Sequence, residues 1–405
     1  MTAPNLPEMR ANAYGFTQDI ITRFGPRLAG SKPDAMAAET IFETMRGLFD
    51  EARPHKFRMN PGAFLGWVRI LVVLYVFCIV LVWLQYPGLS TLLLGTGLAI
   101  MTFEFFLYKE VVDPFFPKVT GTNVWGTIEP EGEVHQEVII SGHHDSAPIF
   151  NFFIHQPELY AFRVMGGIGT FALFFLYSLF LWIANPETME LWQTTLNGIF
   201  TFLLLLIVQL WFFAASKGTP GAGDNLVSVA AAIEVGKYFQ QQKEEGNALQ
   251  HTRVHIVSFD GEEAGLRGAR AFFKANHAFF EERRTWMFNV DCPYYLKDIF
   301  FMTSDINTSV QLSQDMAERC VKIAHELGYP AVHKPITFLT GGTDAGEAAK
   351  YDIHATTLMA MPWDNNERAA VYHTPDDTID KVEPQAVEAV IGIAIEFVQQ
   401  VDKEN

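Results

Sequence analysis

Four long apolar stretches interrupt this chain in two close pairs, and whatever it folds into must either bury all of them or hand them to lipid. Residues 70–86 carry no charge, and the apolar run starts earlier, near Gly62, broken only by Arg69. Residues 89–108 follow the Tyr86-Pro87-Gly88 turn and carry one acid, Glu104. Residues 164–184 and 191–215 form the second pair. Each approaches or exceeds the roughly 20 residues that cross a bilayer. Trp67, Tyr86, Tyr108, Trp182, Trp192 and Trp211 stand near the ends, where amphipathic rings suit a membrane interface. The pattern predicts two transmembrane hairpins and accounts for a chain that is 49% hydrophobic with 35 Phe.

Two hairpins return the chain to the side it left, so every segment outside them can meet on one face of a membrane. The sequence then divides into residues 1–61, 109–163 and 216–405, forming one interrupted domain, with hairpins at 62–108 and 164–215. The distal turns, 86–90 and 185–190, contain no Lys or Arg, whereas the near flanks hold Arg58, Arg69, Lys109, Lys118, Arg163 and Lys217. By the positive-inside rule the interrupted domain is expected in the cytoplasm. A net charge of −17 argues against nucleic acid as a partner and against strong attraction to anionic lipid. The cysteines, Cys78, Cys292 and Cys320, are odd in number and widely spaced, so no disulfide framework is implied. Residues 1–10 lack the basic-then-apolar profile of a cleavable signal peptide.

Chemistry concentrates in the interrupted domain. Residues 260–269 read DGEEAGLRGA, with Glu262 and Glu263 after an apolar run (Val254, Ile256, Val257, Phe259) and before an amphipathic helix. Adjacent acids at such a turn point in different directions. One can ligate a metal while its neighbour accepts a proton from water. Further polar groups end other apolar runs or sit in turns: Ser141-Gly142-His143-His144-Asp145-Ser146, Gly221-Ala222-Gly223-Asp224-Asn225, Asn289-Val290-Asp291 and Tyr372-His373-Thr374-Pro375-Asp376-Asp377. Parallel strands deliver residues to one rim of a sheet in this way. Two histidines and three carboxylates suit a pair of zinc-like ions sharing a bridging carboxylate.

These segments, in this order, resemble the co-catalytic zinc exopeptidase family of bacterial leucyl aminopeptidase, aminopeptidase Y and glutamate carboxypeptidase. The opening Gly25-Pro26-Arg27-Leu28-Ala29-Gly30-Ser31 is similar to that family's start. The resemblance implies a mixed, mainly parallel α/β sheet flanked by helices, two Zn2+ per chain and peptide substrates. It implies that His143 and Asp291 bind one zinc, Glu263 and His373 the second, and that Asp224 bridges them. Glu262 would be the general base and Asp145 the carboxylate that orients His143. His144 neighbours His143, but strand alternation sends the two to opposite sides, and the family pattern selects His143. Two departures bear on the substrate pocket: Leu226-Val227-Ser228 replaces small residues after the bridging Asp-Asn, and Thr343-Asp344-Ala345 replaces Ser-Asp-His.

The expected activity is that of a membrane-embedded zinc aminopeptidase. The rivals are a single-zinc glutaminyl-cyclase-like acyltransferase, a carboxypeptidase-type exopeptidase, and a receptor-like relative that lost its site. The complete set of ligand residues speaks against the last. The spans lack a polar seam, which disfavours a transporter or channel. The remaining pattern predicts two helices within residues 12–50, helices at 231–242, 310–327 and 383–403, and a buried strand at 353–361. Strands near 55–59, 123–128 and 137–141 are expected to form a meander. In that topology the first and third strands end at the metal-bearing rim. Both hairpins then leave from that rim, the cleft faces the bilayer surface, and short or hydrophobic peptides enter laterally.

Overall fold

A computed structural model describes residues 1–363 and 368–404. The chain forms two compact units, Met1–Pro61 with Lys118–Ile149 and Lys217–Asn405, and Gly62–Pro117 with Phe150–Ser216.

The first unit is built on an 8-stranded sheet. Its strands are β1 (Glu51–Met59), β2 (Val119–Ile128), β3 (Gln136–His143), β4 (Thr252–Phe259), β5 (Arg284–Asp291), β6 (Ile299–Met302), β7 (Val332–Lys334) and β8 (His354–Ala360). In space they run β1-β2-β4-β3-β5-β8-β6-β7. The pairs β4/β3, β3/β5, β5/β8 and β6/β7 are parallel, and β1/β2, β2/β4 and β8/β6 antiparallel, which is the mixed, mainly parallel sheet expected. The central strands read as continuous apolar runs because both faces are covered. Val138, Ile139 and Ile140 of β3 and Val254, Ile256 and Val257 of β4 are all buried. Helices Leu6–Phe24, Val227–Glu244 and Pro384–Asp402 pack on one another, and Arg267–Glu281 packs with Asp344–Ala349 as a second group.

The expected meander is corrected here. β4 inserts between β2 and β3, because the chain returns from β3 through helix Val227–Glu244 and lands parallel beside it. Parallel neighbours require such a crossover, and nothing local to β2 or β3 announces it. The direction of the strands is unaffected. β2 is antiparallel to both β1 and β4, so β1 and β3 run the same way. Met59 pairs with Val119, and His143 with Phe259, at the same end of the sheet. The helix expected at 310–327 is also shorter, Gln314–Glu326. Ser313 caps it by accepting the Met316 N–H, and Val310–Gln311 pairs instead with Ser304–Asp305.

The second unit contains 4 helices long and apolar enough to cross a membrane, Gly62–Trp83, Pro87–Phe106, Pro157–Ala184 and Leu191–Phe212. The third starts ahead of Arg163, whose charge marks the start of the sequence pattern. Its guanidinium turns back onto the His155 carbonyl at 2.9 Å and lies over the Phe152 ring. Tyr75, Leu94, Phe171, Phe174 and Phe200 form the interior of this unit. Several of its polar groups bond inward: Tyr75 donates to the Phe200 carbonyl (3.0 Å), Thr91 to Ser178 (3.0 Å) and Tyr177 to Asn197 (2.8 Å). The Val112 N–H donates to Glu104 at 2.8 Å. Backbone and side-chain polar groups satisfied internally are what a hydrocarbon surround demands. The outward side chains are apolar, with Phe202 71% and Leu205 68% exposed.

Candidate metal centre

The sheet and its loops bring the expected ligand residues together. His143 is the last residue of β3 and Asp291 the last of β5, on strands paired in parallel. Glu262 and Glu263 lie in the turn after β4, Asp224 in the turn before helix Val227–Glu244, and His373 in a turn with φ of +54°.

Asp224 stands at the centre. Its Oδ1 is 3.3 Å from His143 Nε2 and its Oδ2 is 3.1 Å from His373 Nε2. Glu263 Oε1 is 3.4 Å from His373 Nε2. Glu262 Oε2 and Asp291 Oδ1 each stand 3.9 Å from His143 Nε2. Two ligand atoms on one tetrahedral zinc, with bonds of about 2.0–2.1 Å, stand about 3.4 Å apart, and the Asp224, Glu263 and histidine distances are compatible with that spacing. His143 Nε2 and Glu263 Oε1 are buried without a hydrogen-bond partner among the described residues, as atoms reserved for a metal would be. The carboxylates of Asp145, Asp224, Glu262, Glu263 and Asp291 crowd against the imidazoles of His143 and His373. That excess of buried negative charge calls for divalent cations. The donor set therefore fits zinc.

The electrostatics agree. Burial pushes Glu262 well above the usual carboxylate range, Glu263 up to about 7 and Asp291 up to about 6. Burial opposes the charged form of His373, but Glu263 and Asp224 outweigh it and raise the group to about 9. Burial raises Asp224 less than His143 and His373 lower it, leaving it depressed.

Asp145 contacts both the histidine loop and the glutamate turn. Its Oδ1 lies 3.4 Å from His143 Nδ1, whose nearest acceptor is the Asp145 carbonyl at 3.1 Å. Its carboxylate also accepts the Glu262 N–H (3.2 Å) and the Glu263 N–H (3.1 Å), fixing the glutamate turn against the histidine loop. His144 points away from the centre, with Nδ1 2.8 Å from Ser258 Oγ. Cys292 is buried beside Asp291, and burial raises its thiol, with Asp224 and Asp291 adding to the effect.

Several contributors lie in segments the sequence singles out but have no role assigned there. Asp377 accepts the N–H groups of Gly223 (2.9 Å) and Asp224 (3.2 Å) and the Tyr294 hydroxyl (2.9 Å). Arg27, 0% exposed, donates to the carbonyls of His144, Gly25, Pro220 and Gly221. Asp344 begins helix Asp344–Ala349, 1% exposed, with neither oxygen hydrogen-bonded among the described residues; it feels the charges of His143, Asp145 and Asp291. The Asp377 carboxylate was in plain sight in the sequence, within the His373 turn, but its partner lies far along the chain.

Residues 209–398 match the model of peptidase family M28. That span contains Asp224, Glu262, Glu263, Asp291 and His373, and starts after His143 and Asp145. A zinc aminopeptidase from Bacillus subtilis shares the fold with TM-score 0.57 and 13% identity, over 97% of this chain and 96% of that one. A Zn-dependent exopeptidase from Parabacteroides distasonis gives TM-score 0.56 at 12% identity, over 96% of this chain and 97% of its own. A Bacteroides thetaiotaomicron glutaminyl cyclase bound to N-acetylhistamine gives TM-score 0.56 at 11% identity, with coverage of 96% and 97%. No curated protein sequence matches the chain. The sequence expectation of a co-catalytic zinc-peptidase fold is borne out by the family match and by these shared folds.

Proposed function

We propose that this chain, a zinc metallopeptidase by its M28 segment, is a membrane-embedded dinuclear aminopeptidase acting on short or hydrophobic peptides. The observation that carries the reading is Asp224, whose two oxygens face His143 and His373 separately. His143 and Asp291 would hold one zinc, Glu263 and His373 the other, and Asp224 both. Bound there, the ions would polarise a peptide carbonyl and lower the pKa of water.

The chain's own residues handle the protons. Glu262 is placed against His143 but is not needed as a ligand, so its carboxylate is free to take a proton from the attacking water and return it to the departing amine. Burial raises its proton affinity, which suits a group that must hold the proton between those events. Asp145 keeps Glu262 and His143 in fixed relation through its contacts to both. The surplus of carboxylates favours a substrate that arrives with an ammonium. Asp344 adds a further buried acid, while Arg270 is engaged by Glu347 at 2.8 Å and Arg27 by backbone carbonyls. This supports an amino-terminal over a carboxyl-terminal exopeptidase.

Membrane embedding rests on the four apolar helices and their outward apolar side chains. The substrate class rests on where those helices fall. The four apolar helices interrupt the chain before and after the His143 segment, which supports apolar or short substrates. The absence of Lys and Arg from the distal turns supports a cytoplasmic catalytic unit.

The test is an assay of the full-length detergent-purified protein on aminoacyl and carboxyl-terminal reporters, with and without chelator. Chelator-sensitive release of amino-terminal residues is expected, and Asp224→Ala should carry two zinc ions per chain fewer than wild type. Cyclisation of amino-terminal glutamine in place of hydrolysis would replace this reading with an acyltransferase, and carboxyl-terminal cleavage with a carboxypeptidase.

A further inference from the structure

A second cluster of metal-ligating side chains lies on the other side of the loops that carry the centre. Strand alternation turns His144 away from His143, and Asp260 precedes the Glu262 turn. Asp34, near the start of helix Lys32–Leu48, meets them from the amino-terminal segment. One ligand atom from each of the three lies within 4.8 Å of the other two. His144 Nε2 is 3.6 Å from Asp34 Oδ1, close to the spacing of two atoms on one tetrahedral ion.

The three side chains are 0%, 1% and 2% exposed for His144, Asp34 and Asp260. In each, one polar atom is held by the protein and the other is left over. His144 Nδ1 is bonded to Ser258 Oγ at 2.8 Å, Asp34 Oδ2 accepts the Gly30 N–H at 2.8 Å, and Asp260 Oδ2 accepts the Thr122 N–H at 2.6 Å. The leftover atoms, His144 Nε2, Asp34 Oδ1 and Asp260 Oδ1, receive no N–H or O–H donor among the described residues, although the Asp34 and Asp260 carboxyls lie close enough to bond each other if one is protonated. Buried polar atoms without partners are costly, and three clustered side chains that each leave one over form a built cradle. Anchoring the far atom of a ligand is also how metal sites fix ligand orientation.

We propose that Asp34, His144 and Asp260 bind a further divalent transition-metal ion, distinct from the dinuclear centre. An imidazole with two carboxylates suits zinc or manganese. The ion is structural: it clamps residues 25–34 to the two loops, 143–145 and 260–263, that carry His143, Asp145, Glu262 and Glu263. The competing arrangement is an Asp34–Asp260 carboxyl pair sharing a proton, with burial raising Asp260 to about 7.

Zinc content separates these. Full-length protein equilibrated with zinc and freed of excess is compared with Asp34→Asn and Asp260→Asn, which keep an oxygen for the Gly30 and Thr122 N–H groups. Each variant is expected to hold one zinc per chain fewer than wild type, and Asp34→Asn combined with Asp224→Ala one fewer than Asp224→Ala alone. Unchanged zinc content in both single variants overturns the site and leaves the proton-sharing pair. If the variants do not fold, wild-type crystals grown with zinc decide by anomalous scattering. A peak between His144 Nε2, Asp34 Oδ1 and Asp260 Oδ1 supports the site, and its absence overturns it. The same map reads the dinuclear centre at its own position, so failure of one site is distinguishable from failure of the other.

Discussion

Asp377 holds Asp224 from behind, its Oδ2 accepting the Asp224 backbone N–H at 3.2 Å. The contact fixes the carboxylate that faces both histidines by gripping its own main chain rather than its side chain. The second oxygen of Asp377 takes the Gly223 N–H and the Tyr294 hydroxyl, so three donors converge on one buried acid. Asp377→Ala should weaken zinc binding and activity by about 10–100-fold, the usual loss for a group that positions a ligand. Asp377→Asn, which keeps one acceptor oxygen, should recover part of it. Zinc competition with a chromogenic chelator, measured beside kcat/KM, checks this. Equal zinc affinity in Asp377→Ala would show that Asp224 is held without it.

Arg27 ties three loops behind the centre through the carbonyls of His144, Gly25, Pro220 and Gly221. Replacing it by Met removes the guanidinium donor from the His144, Gly25 and Pro220 carbonyls, at about 1–3 kcal/mol for each that water cannot reach, while the Gly221 carbonyl keeps the Leu226 N–H. Arg27→Met is expected to destabilise the folded catalytic unit by at least about 3 kcal/mol. Denaturant unfolding followed by tryptophan fluorescence reads it. A change below about 1 kcal/mol, the median for a weak surface interaction, would mean that the guanidinium is dispensable.

How much of this was legible before the fold depends on how far apart the partners lie. The Glu262-Glu263 turn, the His143/His144 alternation and the apolar pairs are local patterns, with strand or helix periods that a sequence displays directly. The position of β4 between β2 and β3 is not local, since it depends on where a crossover lands. Asp377 reads as a turn residue in Pro375-Asp376-Asp377, and its partner Asp224 lies 153 positions away. Arg27 belonged to a recognised opening segment, but the carbonyls it reaches lie up to 194 positions away. Asp34 looks like an ordinary acid in the first turn of a helix, where the dipole alone would account for it.

Glu262 and Asp145 should fail in different ways. Glu262→Gln keeps the size of the side chain and removes its basicity. It should retain bound zinc and lose at least about 10²-fold in kcat, with KM little changed. Asp145→Asn loses one acceptor for the Glu262 and Glu263 N–H groups and puts an amide beside His143. It should lose zinc affinity as well as rate. A fully active Glu262→Gln would remove the general base from the mechanism.

The last prediction concerns sidedness. Tyr86 and Thr188 lie in the distal turns of the two apolar pairs, and both are exposed. Neither turn carries Lys or Arg, while Arg58, Arg69, Lys109, Lys118, Arg163 and Lys217 cluster at the opposite ends of the helices. Positive flanks resist translocation, so the distal turns are the ends that cross. The native cysteines, Cys78, Cys292 and Cys320, are buried and give little background labelling. Cysteines introduced at Tyr86 or Thr188 should therefore react with an impermeant maleimide on intact cells, and a reporter fused after Asn405 should be active only in the cytoplasm. Labelling of both turns solely after permeabilisation would invert the orientation and put the peptidase unit outside. Labelling of one turn but not the other would mean that one pair does not cross, leaving two spans instead of four.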